Sequence, residues 1–136
     1  MKIFTDTSAL IAHYNIDDKY HDEAFEVMEK IRKGEIPLTR FYLTDYVFDE
    51  TVTFIECVLN DHLLSLKVGE ALQTSPFTTI IQIDQELFKE AWNFFKQNKG
   101  YSFTDCTSFV TMSKNGINNA FTFDKHFKKA GFQIIP

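Results

Sequence analysis

The chain has 136 residues, 44% of them hydrophobic, which suits one packed domain and is too apolar for extended disorder. Its formal charge of −5 argues against a protein that coats nucleic acid through its overall field, but not against a nuclease, which must concentrate carboxylates to hold cations. No basic leader opens the chain and no stretch nears the roughly 18 apolar residues that cross a bilayer, so the expectation is one soluble, cytoplasmic domain over residues 1–136 with no membrane contact.

The first element is a short apolar strand around Ile3 and Phe4 that gives way at Asp6-Thr7-Ser8 to a helix running to Tyr14. Asp6 therefore lies where a βα unit places its ligands, although Asp is also a common helix cap. Tyr20, Ala24, Val27, Met28 and Ile31 then recur on one face of a helix over residues 19–33 that Gly34 ends. A strand over 38–43 follows, with Thr44 and Asp45 as competing caps for a helix over 45–60. On that helix Glu50 aligns with Phe54, Cys57 and Val58, so it reads as an acid on an apolar row that either snorkels to water or finds a cation. Asp49 reads as solvated surface.

Asn60-Asp61 restarts a helix that reaches Leu72. The β-branched run 78–83 predicts a third strand, and Asp84 caps a helix over 85–97. The broad face of Leu87, Phe88, Ala91, Trp92, Phe94 and Phe95 on that helix reads as core. Ser102-Phe103-Thr104-Asp105 has the form of a capping box opening the next helix, with Asp105 also in line with Phe109 and Met112. Residues 120–123 form a short strand ending in Asp124, followed by a short helix to Ala130, Gly131 as its stop, and a last strand over 132–135. Cys57 and Cys106 lie within helical patterns without ligand spacing and read as reduced core thiols. The nearest approach to a basic patch is Lys125, Lys128 and Lys129.

Alternating strands and helices predict an α/β sandwich around a mainly parallel sheet of four to five strands. In such a fold Asp6 and Asp124 leave the same sheet edge, and helices bearing Glu50 and Asp105 can converge on it. Four carboxylates in one pocket repel unless cations intervene, and an oxygen-only set favours Mg²⁺ or Mn²⁺. Neither a Ser-His-Asp arrangement nor a Gly-rich phosphate loop is present, so hydrolysis of a phosphodiester by a metal-activated water is the implied chemistry.

Asp6-Thr7-Ser8, Glu50, Ser102-Phe103-Thr104-Asp105 and Thr122-Phe123-Asp124-Lys125-His126-Phe127 together resemble the PIN-domain pattern over nearly the whole chain. The resemblance implies a three-layer α/β/α sandwich and an endoribonuclease dependent on Mg²⁺ or Mn²⁺. Asp6, Glu50, Asp105 and Asp124 would be its catalytic metal ligands, with no departure from the four-acid pattern. Thr7, Ser8 and Thr122 would contact a substrate phosphate or orient a ligand, and His126 reads as a surface residue of the last helix. A free-standing domain of this length also resembles the toxin of VapBC-type toxin–antitoxin pairs, which implies an RNA substrate, a small antitoxin protein as partner and a homodimer. Two other readings stand beside this one: a non-catalytic module whose acidic pocket binds a basic partner, and another α/β phosphohydrolase.

Overall fold

The computed structural model describes residues 1–136. In chain order the elements are β1 (Lys2–Thr5), α1 (Thr7–Tyr14), α2 (His21–Arg32), β2 (Arg40–Thr44), α3 (Asp45–Cys57), α4 (His62–Thr74), β3 (Thr78–Ile81), α5 (Gln85–Gln97), α6 (Phe103–Lys114), β4 (Asn119–Phe121), α7 (Lys125–Lys129) and β5 (Gln133–Ile135). The strands form one parallel sheet in the order β3-β2-β1-β4-β5, flanked by helices as a three-layer α/β/α sandwich. No helix is long and apolar enough to cross a membrane.

Strand alternation makes β1 the centre of both cores. Ile3 packs with Ala9, Ala12, Ala24 and Val27 of α1 and α2, whereas its neighbour Phe4 packs on the opposite side with Val47, Ile55, Phe109 and Phe127. Both residues are fully buried, as a strand flanked by parallel neighbours and helices on each face must be. The chain extends from β1 through β2 to β3 on one side, then crosses back to place β4 on the other side of β1. The carboxyl ends of β1 and β4 thus lie side by side at a topological switch point, where open α/β sheets hold their ligands. Thr5 pairs with Phe121, and the Asp6 amide extends that ladder to the Phe121 carbonyl at 3.1 Å.

Element ends follow local chemistry. Gly34 and Gly131 adopt φ of +78° and +102° just beyond α2 and α7, in the left-handed region that stops a helix cheaply. Thr44 wins the cap of α3 by accepting from the Val47 amide at 3.1 Å. Asp45 instead accepts from the Ile83 amide at 3.0 Å, which ties the segment after β3 to α3.

Two expectations are corrected and one is narrowed. The aromatic face of α5 is only half core: Leu87 and Ala91 are buried, but Phe88, Trp92 and Phe95 are 46%, 48% and 37% exposed. One row of the helix, Leu87-Ala91-Phe94, faces α6, and the apolar arc is wider than α6 can cover. The surplus aromatics gather around Phe103, whose ring lies 5.2 Å from Phe88 and 6.1 Å from Phe95. Cys57 is exposed and only Cys106 is a core thiol. Glu50 is also exposed, because α3 buries Val47, Thr51 and Ile55, and the row through Cys57 and Val58 turns outward.

Candidate active site

Asp6 follows β1 and stands at the cap position of α1, but its carboxylate makes no cap hydrogen bond. It is drawn sideways into a network across the switch point. Ser8 Oγ and Thr122 Oγ1 donate to Asp6 Oδ2 at 2.9 and 3.0 Å. Each hydroxyl in turn accepts a backbone proton, Ser8 from the Phe123 amide at 3.0 Å and Thr122 from the Asp124 amide at 2.9 Å. Each hydroxyl has one proton and spends it on Asp6, so the 3.2 Å between Ser8 Oγ and Thr122 Oγ1 is a close approach of two oxygens already committed elsewhere. Two amide-to-hydroxyl-to-carboxylate relays therefore converge on one oxygen. Both side-chain donors reach Oδ2, so Oδ1 receives none, and the Thr7 amide supplies the remaining help to the carboxylate.

Asp105 lies on the first turn of α6, and the predicted capping box forms by half. Ser102 Oγ accepts from the Asp105 amide at 3.0 Å, but the Asp105 carboxylate does not reach back to Ser102 and accepts no hydrogen bond. It faces Asp124 and His126 instead. Asp124 follows β4, caps α7 through the His126 amide at 2.9 Å, and lies 2.8 Å from His126 Nδ1. The imidazole is also 3.9 Å from Asp105 Oδ2, and ligand atoms of Asp105, Asp124 and His126 all fall within 4.8 Å of one another.

The protonation equilibria record the crowding. Burial raises Asp6 to about 6 against the help of Ser8, Thr122 and the Thr7 amide, and the charge of Asp124 adds to the rise. Burial, followed by the charges of Asp6 and Asp124, raises Asp105 to about 7; Glu50 adds a smaller push and His126 opposes it. Carboxyls held this far above the ordinary range mark a place built for a cation. The donor set fits a hard divalent ion: three aspartates, of which Asp105 and Asp124 each keep an oxygen that no protein donor reaches, and no thiolate.

Of the residues singled out in the sequence, Asp6, Asp105 and Asp124 come together in depth, and Glu50 joins them from the exposed rim of α3. Ser8 and Thr122 orient Asp6. Thr122, only 1% exposed, is closed to a substrate phosphate. Thr7 Oγ1 lies 3.4 Å from Thr51 Oγ1, on the side of α1 that meets α3. His126 is exposed on the last helix, as the sequence indicates, but its ring lies against Asp124 and Asp105, a neighbourhood whose only signal was its place two residues beyond a capping aspartate on a one-turn helix. An apolar recess of about 400 Å³, lined by Leu10, His13, Tyr14, Met28 and Phe41 among others, lies elsewhere and touches none of the four carboxylates.

The PIN-domain model matches residues 3–133. The 23S rRNA-specific endonuclease VapC20 of Mycobacterium tuberculosis, in strains CDC 1551 and H37Rv, is 30% identical over 132 residues, covering 96% of this chain and 95% of that protein. The crystal structure of M. tuberculosis VapC20, a sarcin-ricin loop cleaving toxin, superposes with a TM-score of 0.86 at 29% identity, over 98% of this chain and 99% of that one. A family model that spans the sheet, the switch point and three converging aspartates leaves one conclusion, that the chain belongs to the PIN-domain family.

Proposed function

We propose that this protein is a metal-dependent endoribonuclease, the toxin of a type II toxin–antitoxin pair, and that Asp6, Glu50, Asp105 and Asp124 hold Mg²⁺ or Mn²⁺. The observation that carries the reading is the convergence of Asp6, Asp105 and Asp124 at the switch point, two of them with strongly raised protonation equilibria. A divalent cation there would supply a more acidic water and offset negative charge building on the phosphodiester. The side chains hold the rest of the arrangement. Ser8 and Thr122 fix the Asp6 carboxylate and favour its charged form, Ser102 anchors the turn that presents Asp105, and Asp124 is held by its own cap of α7. Lys125, Lys128 and Lys129 lie on the exposed side of α7 and give the pocket a positive flank for an RNA backbone.

The relatives' activity supports RNA as substrate, and large-ribosomal-subunit RNA is the first to test. A small antitoxin protein belongs to the same reading, as does a cytoplasmic location, where ribosomes are reached. Asp6→Asn should lower the cleavage rate with Mg²⁺ or Mn²⁺ by roughly 10³-fold, since it removes a ligand charge from the centre. Retention of wild-type cleavage by that variant, measured on fragments of 23S rRNA, sinks the assignment.

A homodimer completes the proposal, and the uncovered aromatics Phe88, Trp92 and Phe95 support it, being of the residue types that interfaces prefer. Trp92→Ala is expected to convert a dimer to a monomer at micromolar concentration in analytical ultracentrifugation.

A further inference from the structure

We infer that His126 is a nitrogen ligand of the acidic centre and that it tilts the centre toward Mn²⁺ over Mg²⁺. The inference rests on the reading of this pocket as a metal site. Its ground is the position of one ring nitrogen: Nδ1 stands 2.8 Å from Asp124 Oδ1 and 3.9 Å from Asp105 Oδ2. Two atoms bound to one ion at about 2.1 Å cannot be farther apart than about 4.2 Å, and both separations satisfy that limit. The imidazole is on the pocket side of α7, edge-on to the Tyr101 ring at 5.6 Å, so its plane is set by packing as well as by the carboxylates. A second feature bears on the same cluster: Asp6, only 5% exposed, takes both of its side-chain donors on Oδ2, which leaves Oδ1 without one, and its charge acts on Asp105.

The consequence is one of selectivity. Mg²⁺ is bound through oxygen, with several waters retained, and gains little from an imidazole. Later divalent ions accept nitrogen readily, and affinity for a mixed N/O site rises from Mn²⁺ along the first transition row. A centre of three aspartates alone would distinguish Mg²⁺ from Mn²⁺ weakly; adding one imidazole separates them. The other three histidines are engaged elsewhere. His21 Nδ1 bonds the Ala12 carbonyl at 2.7 Å, His62 pairs with Glu56 at 2.9 Å, and His13 lines the apolar recess.

The test is electron spin-echo envelope modulation of the full chain loaded with equimolar Mn²⁺, with calorimetric titration of Mn²⁺ and of Mg²⁺. Wild type should show modulation from a directly coordinated imidazole nitrogen, and labelling the histidine rings with ¹⁵N should change its frequencies. His126→Gln, at a half-exposed position that the fold does not depend on, should lose the modulation. Its Mn²⁺ affinity should fall roughly tenfold while its Mg²⁺ affinity changes by less than about twofold. Absence of nitrogen modulation in wild type overturns the inference, as does its persistence in the variant. Equal weakening of both ions overturns it in favour of a residue that only positions Asp124. Failure of the wild-type chain to bind either ion overturns the metal-site reading and this inference together.

Discussion

Two hydroxyl protons decide how Asp6 behaves. A carboxyl this deeply buried would hold its own proton at neutral pH, and Ser8 and Thr122 each spend a donor to counter that. Each also accepts an amide proton, from Phe123 and from Asp124, which holds the hydroxyl in place. Ser8→Ala removes one donor from Asp6 and leaves the Phe123 amide without its acceptor. Hydrogen bonds to a charged group are worth about 1.5–3 kcal/mol, so the variant should cut kcat/KM by about tenfold or more. The acid limb of its pH–rate profile should also move to higher pH, because Asp6 has lost a group that favours its ionised form. An unchanged profile would show that the network is structural only.

At the scale of elements, short helices aim the acids, and their caps do the aiming. Ser102 stops the backbone of α6 one turn before Asp105, and Asp124 fixes the start of α7 so that His126 returns to the pocket. Ser102→Ala should cost about 1 kcal/mol in thermal unfolding and weaken Mn²⁺ binding in calorimetry, whereas a capping loss at a remote helix such as Asp84→Ala on α5 should cost similar stability and leave binding intact. Local patterns of this kind were legible in the sequence: the strand-to-helix junctions at Asp6 and Asp124 and the capping form at Asp105 depend on neighbours a few residues away. What was not legible depends on how much of a helix its partner covers. Glu50 and the α5 aromatics were both assigned to apolar rows correctly, but a row becomes core only when another element lies over it. For α3 the covering contacts fall on Val47, Thr51 and Ile55, one position round from Glu50, and for α5 the partner α6 lies over Leu87 and Ala91 but leaves Trp92 half-exposed, with Phe103 at the start of α6 beside its ring. The nearness of the exposed His126 to Asp105 was not legible for the same reason, since it is made by packing α6 beside α7 and not by spacing along the chain.

For the whole molecule, the acidic centre is a store of repulsion that folding must hold. Asp6 at about 6 and Asp105 at about 7 both lie above the 3.8 of an unperturbed Asp, so the folded state binds these protons more tightly than the unfolded chain. Their contribution to stability is complete below the unperturbed 3.8, is lost as pH rises to 6 and 7, and amounts to several kcal/mol: about 3 for Asp6 and about 4 for Asp105, less in sum because each charge raises the other. The metal-free protein should therefore melt at progressively lower temperature from pH 5 to pH 8, and saturating Mn²⁺ or Mg²⁺ should abolish that decline. Thermal melts with chelator and with each ion decide the matter, and a flat metal-free curve would contradict the crowding described here. The same sheet order has a consequence for how the molecule comes into being. The Thr122 hydroxyl that holds Asp6 lies 116 residues further along the chain, just beyond a strand that must slot beside β1, with two other strands made before it. At about 5–20 residues per second, synthesis leaves Asp6 waiting roughly 6–23 s for its partner strand. Throughout that interval the growing chain gains Glu50 and then Asp105, but neither Thr122 nor Asp124 stands beside Asp6, so the acidic centre closes only once β4 has been made and has docked.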